Sequence, residues 1–125
     1  MSVVFRRGTR DKRWHDERVP DEPKPRVTIT YCTQCQWLLR AAWMASELLQ
    51  TFAGELGEVA LVPGTGGVFR VGVSGGAAGH VEVWDRKTAG GFPEITTLKQ
   101  LVRDVVAPER SLGHSDRRAV GGREP

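Results

Sequence analysis

Cysteine is scarce in this chain, with two copies among 125 residues, alongside one tyrosine and two methionines. Two cysteines cannot build the several bridges that staple small secreted domains. No stretch approaches about 18 consecutive apolar residues, so no transmembrane helix is predicted. The amino end has no apolar core of the kind a secretory signal needs, and none is expected. Histidine is nearly as rare, with three copies at His15, His80 and His114. There is no HxxxH and no second CxxC, so a four-ligand zinc site has no recognisable pattern, and no metal is assigned. Paired carboxylates and a Ser/His/Asp arrangement are missing as well.

Charge is present but ordinary. Charged residues make up 26% of the chain and hydrophobic ones 39%, which suits one soluble domain with a single core. The net charge is +3. Much of the basic excess lies in the first 26 residues, which hold eight Arg or Lys against five Asp or Glu. Arg117, Arg118 and Arg123 add to it at the far end. These read as two solvated tails rather than a nucleic-acid surface, because aromatic residues do not alternate with basic ones in any strand pattern.

The organisation follows from periodicity. Residues 1–25 form a charged leader closed by Pro20, Pro23 and Pro25, expected to lack structure. A domain is predicted over 26–108, and a flexible charged tail over 109–125. Within the domain, Arg26 to Tyr31 alternates Val27, Ile29 and Tyr31 with polar residues, as a strand does. Gln36 to Phe52 carries Leu38, Ala41, Ala42, Ala45, Leu48, Leu49 and Phe52 at helical spacing, with Gly54 as a stop. Trp37 and Met44 widen that stripe, whereas Trp43 falls on the polar face with Arg40, Glu47 and Gln50. Glu58–Val62, Val68–Val73 and His80–Asp85 read as three further strands, the last with Val81 and Val83 on one face and Trp84 on the other. Arg86–Gly91 reads as a polar loop. A second helix is predicted from Thr96 or Thr97, with Leu98, Leu101, Val102 and Val105 as its stripe and Pro108 as its end. The order β-α-β-β-β-α, with a right-handed parallel first crossover, gives an α/β fold: a four-stranded mixed sheet packed by two helices.

The two cysteines occupy the junction of the first strand and first helix, in Tyr31-Cys32-Thr33-Gln34-Cys35-Gln36-Trp37. With CxxC at that point the layout is thioredoxin-like. A thiol attacks only as thiolate, and N–H groups at a helix start favour the thiolate. The two-residue spacer brings the second sulfur close enough to resolve a mixed disulfide. Thr33 and Gln34 are uncharged, so only a modest pKa depression is expected. Half a zinc site and an inert buried pair are the alternatives to a redox centre. Gly64-Thr65-Gly66-Gly67 has the look of a phosphate loop but lacks a following Lys-Ser/Thr and enters a strand, so it reads as a tight turn. His80 reads as a strand decoration.

Several ordered segments together resemble a known family. They are Tyr31–Trp43, Gly66-Gly67-Val68-Phe69, Val83-Trp84-Asp85-Arg86-Lys87, Gly90-Gly91-Phe92-Pro93-Glu94, Leu98–Asp104 and Leu112–Asp116. Over roughly 26–118 they resemble the Rdx, or selenoprotein W/T/H-like, proteins in their bacterial cysteine-containing branch. The resemblance implies a thioredoxin-like fold and a thiol-disulfide oxidoreductase or redox-sensing role, with a thiol/disulfide protein or glutathione as redox partner. It implies Cys32 and Cys35 as the reactive pair. Animal members carry selenocysteine at the second motif position; here Cys35 stands there, so no selenium and no other cofactor is expected. That position points to Cys35 as attacker, whereas helix-start geometry points to Cys32, and the expectation is Cys32. Trp37, Trp43 and Phe92 are the candidate partner contacts. A cytoplasmic setting follows from a functional thiol pair without a secretory signal. An adaptor whose partner affinity follows the Cys32/Cys35 redox state, without turnover, is the competing reading.

Overall fold

A computed structural model describes residues 3–6, 24–76, 79–113 and 116. The elements are β1 (Val3–Arg6), β2 (Arg26–Cys32), α1 (Leu38–Thr51), β3 (Glu58–Gly64), β4 (Phe69–Gly76), β5 (Gly79–Asp85), α2 (Arg86–Ala89) and α3 (Ile95–Val106). The sheet is mixed and has five strands in the order β1-β3-β2-β4-β5. β2 and β3 run parallel, joined through α1; the other pairings are antiparallel. Four strands were expected from the sequence. The fifth is β1, four residues inside the leader expected to lack structure, where Val3 pairs with Leu61 and Phe5 with Val59 on the edge of β3. It covers an edge whose free N–H and C=O groups would otherwise face solvent.

The core lies between one face of the sheet and the two longer helices. Alternation on β2 turns Val27, Ile29 and Tyr31 to that face. Val59 and Leu61 sit beside them on β3, and Phe69, Val71 and Val73 on β4, in matching register. From α1, Ala41, Met44, Ala45 and Leu48 descend at i, i+3, i+4 and i+7; from α3 come Leu98 and Val102. Lys99 Nζ reaches Glu47 Oε1 at 2.8 Å and links the two helices at the rim.

Several boundaries differ from the expectation for local reasons. α1 begins at Leu38, not Gln36, because Gln36 has φ 61°, a left-handed conformation that a helix cannot contain. Leu38, assigned to the buried stripe, is 43% exposed at the helix's first position. α3 starts at Ile95 with Glu94 at its cap and no side-chain cap bond, so neither Thr96 nor Thr97 plays that part. Arg86–Ala89, expected as loop, is one helical turn: Asp85 Oδ1 accepts the Lys87 N–H and Asp85 Oδ2 the Thr88 hydroxyl, each at 3.2 Å. An irregularity in β4–β5 pairing places Val71 opposite Trp84 but Gly72 opposite Glu82. That extra residue lets Val83 and Trp84 both pack against the core, instead of taking opposite faces.

The tail expected to be flexible from Glu109 is tied back at its near end. Arg103 Nη1 donates to the Arg110 carbonyl at 2.8 Å and to Asp116 Oδ2 at 2.9 Å, and the same carboxylate oxygen accepts the Leu112 N–H at 2.7 Å. This pair holds Arg103 above, and Asp116 below, its ordinary pKa range. Residues 7–23 and 117–125 lie outside the described residues. Among the described residues no helix is long and apolar enough to cross a membrane.

Two leucines on α1 separate burial from propensity. Leu48 is fully buried and Leu39 is 81% exposed. Leu48→Ala is expected to cost about 2–5 kcal/mol in urea unfolding, and Leu39→Ala to stay within about 0.5 kcal/mol. Equal losses would contradict this core assignment.

Candidate functional site: a dithiol under a glycine turn

Cys32 is the last residue of β2 and Cys35 lies in the turn that follows. The parallel register puts Cys32 level with Gly64 at the end of β3, so the β3–β4 turn arrives directly at the thiols. Thr33 secures this junction: its N–H and its hydroxyl both donate to the Gly64 carbonyl, at 2.9 and 3.0 Å. The approach leaves no room for a side chain, since a Cβ on Gly64 would meet Val68 Cγ1 at 2.9 Å. The Gln36 N–H then closes a turn onto the Thr33 carbonyl at 3.1 Å, and the Trp37 N–H reaches the Cys32 carbonyl at 3.3 Å.

Gly66 and Gly67 both have φ 76°, the left-handed region that favours glycine. Their N–H groups point at the cysteine turn. The Gly66 N–H donates to Gln34 Oε1 at 3.2 Å, and the Gly67 N–H to Cys32 Sγ at 3.2 Å. The helix itself begins three residues beyond Cys35, so the N–H groups near Cys32 belong to its own turn, at Gln34 and Cys35, and not to α1 as the sequence suggested. To these the fold adds the Gly67 N–H, from a turn about thirty residues further along the chain.

Both cysteines are free, Cys32 buried and Cys35 exposed. The Cys32 thiol is pulled down to about 7, first by the hydrogen bond from the Cys35 thiol, against the cost of desolvation, and then by the N–H groups of Gly67, Cys35 and Gln34. The same contact pushes Cys35 up, helped by desolvation and by the charge on Cys32; the Arg86 guanidinium and the Gly67 N–H oppose the rise. Above about pH 7 the two sulfurs thus share one proton and one negative charge.

An aromatic cluster adjoins the thiols. Trp37 and Phe92 meet edge to face at 4.8 Å between ring centres, Phe92 and Phe69 at 5.0 Å, and Trp37 and Phe69 at 6.5 Å. Trp84 Nε1 donates to the Gly91 carbonyl at 2.9 Å and sets the loop that carries Phe92. Arg86 lies over Trp37 at 5.0 Å, and Arg40 over Phe92 at 4.2 Å.

Of the residues singled out from sequence, Cys32, Cys35, Trp37 and Phe92 come together. Trp43, 49% exposed, stands outside the ring cluster but lines a groove of about 430 Å³ with Arg40, Phe92 and Pro93. Gly67, Arg86 and Phe69 were not recognised as site residues, although each lies in a segment that carried the family resemblance. Their placement depends on strand register, which composition does not reveal. Of the three histidines only His80 is described, and its ring lies against Gly72 on β4. Among the described residues no group of three or more His, Cys, Asp or Glu could hold a metal ion.

A mixed α/β domain with paired thiols between a parallel strand and its crossover helix is the class that fold and site define. The chain belongs to the Rdx family, whose pattern matches residues 26–104. It is similar to a Bordetella parapertussis protein of known crystal structure, at 65% identity and TM-score 0.59, over 65% of this chain and 96% of that one. It is also similar to a selenoprotein W-related protein from Vibrio cholerae, at 51% identity and TM-score 0.59, over 65% of this chain and 95% of that one. No curated protein matches the chain. Family and paired thiols together point to redox-related chemistry.

The charge arrangement predicts a two-stage thiol titration. Ultraviolet thiolate absorbance should rise with a first midpoint near 7 and a second well above it. Thiolate reactivity is then present above the first midpoint and lost as pH falls through it. A single step near the ordinary cysteine value of about 8.5 would contradict the described geometry.

Proposed function

We propose that this chain is a thiol-disulfide oxidoreductase of thioredoxin-like layout, cycling Cys32 and Cys35 between dithiol and disulfide. One observation carries the reading: two thiols in contact, one with its pKa drawn to about 7 and the other open to solvent. Access and charge divide the work. Cys32 is buried, so the sulfur that meets a bulky disulfide is Cys35. This departs from the expectation that Cys32 attacks, which rested on helix-start N–H groups that Cys32 does not adjoin.

In the first step the shared proton moves to Cys32 and the Cys35 thiolate attacks one sulfur of the substrate disulfide. The other substrate sulfur leaves as thiolate and is protonated. In the second, Cys32 loses its proton and attacks Cys35 Sγ, closing the Cys32–Cys35 disulfide and releasing the second substrate thiol. Two electrons pass from the protein dithiol to the substrate, and both substrate sulfurs depart as thiols. A protein disulfide or oxidised glutathione suits this step, and a cytoplasmic thiol pool would return the protein to the dithiol. The chemistry needs no selenium and no bound cofactor.

A redox-sensing adaptor is the second reading, favoured by one observation. Leu39 and Trp43, one helical turn apart on α1, are 81% and 49% exposed. Such a surface suits a protein partner, and closure of the disulfide in the turn that leads into the same helix would alter it.

Equilibration against graded glutathione buffers, read by alkylation mass shift, tests the redox reading. A reversible two-electron transition within roughly −320 to −180 mV is expected, the span of cytosolic poises and dithiol oxidoreductases. No disulfide at any poise would sink it. Under single turnover Cys32→Ser should trap a mixed disulfide on Cys35, and Cys35→Ser should trap little. The reverse pattern would return the attack to Cys32. Turnover of candidate disulfides separates the enzyme from the adaptor.

A further inference from the structure

Gly67 holds the thiol pair through its N–H, yet it has no side chain of its own to fix it. Its conformation is set from outside. Arg86 Nε donates to the Gly67 carbonyl at 3.2 Å, so both polar groups of this one residue are engaged, the carbonyl by Arg86 and the N–H by Cys32. The guanidinium is itself held in place. Asp85 caps the turn that begins at Arg86, and the planar head stacks over Trp37 at 5.0 Å and reaches Phe92 at 5.9 Å. Fit is close on the glycine side, where a Cβ on Gly67 would lie 3.4 Å from an Arg86 terminal nitrogen. Among the described residues no carboxylate lies within ion-pair distance of Arg86. Its charge acts on Cys35 and favours the thiolate there.

We propose that Arg86 is a positioning residue for the Cys32/Cys35 pair, locking Gly67 so that its N–H faces Cys32 Sγ and setting a fixed cation beside Cys35. It serves each sulfur by a different route: Cys32 through an oriented peptide group, Cys35 through charge. During exchange the negative charge moves from one sulfur to the other, and Arg86 supports it at both ends. The functional consequence rests on the oxidoreductase reading; the electrostatic arrangement does not.

The test is the pH profile of alkylation of each thiol in the full chain, resolved by fragment mass spectrometry, for Arg86→Met, Arg86→Lys and Arg86→Gln. Circular dichroism checks the fold of each. Arg86→Met should raise both midpoints, by about half a pH unit or more, as loss of a nearby charge and a hydrogen bond does. Arg86→Lys keeps the charge but not the stacked fork, and should leave Cys35 near the native midpoint while Cys32 stays raised. Should Arg86→Met fail to fold, Arg86→Gln decides: Cys35 is expected to rise in it. Native midpoints in Arg86→Met or Arg86→Gln overturn the proposal. So does a Lys variant displaced as far as Met at Cys35, which would mark a purely structural role. The profile needs neither turnover nor a disulfide. A chain that never forms the disulfide defeats the redox reading alone, and unchanged midpoints defeat the Arg86 proposal alone.

Discussion

One hydrogen bond organises the thiol end of this molecule: the Gly67 N–H on Cys32 Sγ. It joins two segments that are distant in sequence, and it exists because β2 and β3 run parallel with Cys32 level with Gly64. A strand order without that pairing would leave the glycine turn elsewhere and the cysteine without its long-range donor. The bond also explains why glycine stands where it does. Gly64 admits Val68 at close range, and Gly67 adopts a left-handed conformation that presents its N–H to sulfur. A buried sulfur bearing negative charge needs such donors, because burial alone pushes a thiol's pKa up.

Around this contact the fold builds a partly shielded setting. α1 and α3 rest on one face of the sheet, and the Trp37–Phe92–Phe69 cluster closes the gap between the start of α1 and the loop before α3. Two arginines flank the rings instead of pairing with described carboxylates, so the site presents cationic charge next to an exposed sulfur. Trp43 and Leu39 continue along the same helix as exposed apolar surface. The thiol turn thus leads directly into the helix that carries this exposed apolar surface.

Much of this was legible in the sequence, for definite reasons. Alternation in β2 and the i, i+3, i+4 stripe of α1 are dictated by which side chains must be buried, and both appear, the stripe from Ala41 onward with Leu38 left outside it. The parallel crossover followed from strand–helix–strand order. What escaped depended on geometry that no local window contains. The left-handed Gln36 shortened α1, so the local N–H groups beside Cys32 come from a turn and not from the helix. The irregular β4–β5 register turned Trp84 inward, where it anchors the Phe92 loop. β1 was hidden by the charge around it, since Val3–Phe5 is too short to stand out until β3 offers an edge. Cys32 and Cys35 were evident from spacing; Gly67 and Arg86 became site residues only once register brought the β3–β4 turn and the end of β5 together.

The most direct test of the account is the Gly67 amide resonance followed by NMR across pH. If that N–H donates to a sulfur whose pKa is near 7, its proton shift will titrate with that midpoint, and the titration will vanish in Cys32→Ser. A Gly67 amide that is flat through this range, in a folded chain with both thiols reduced, would contradict the claim that the glycine turn holds the thiolate.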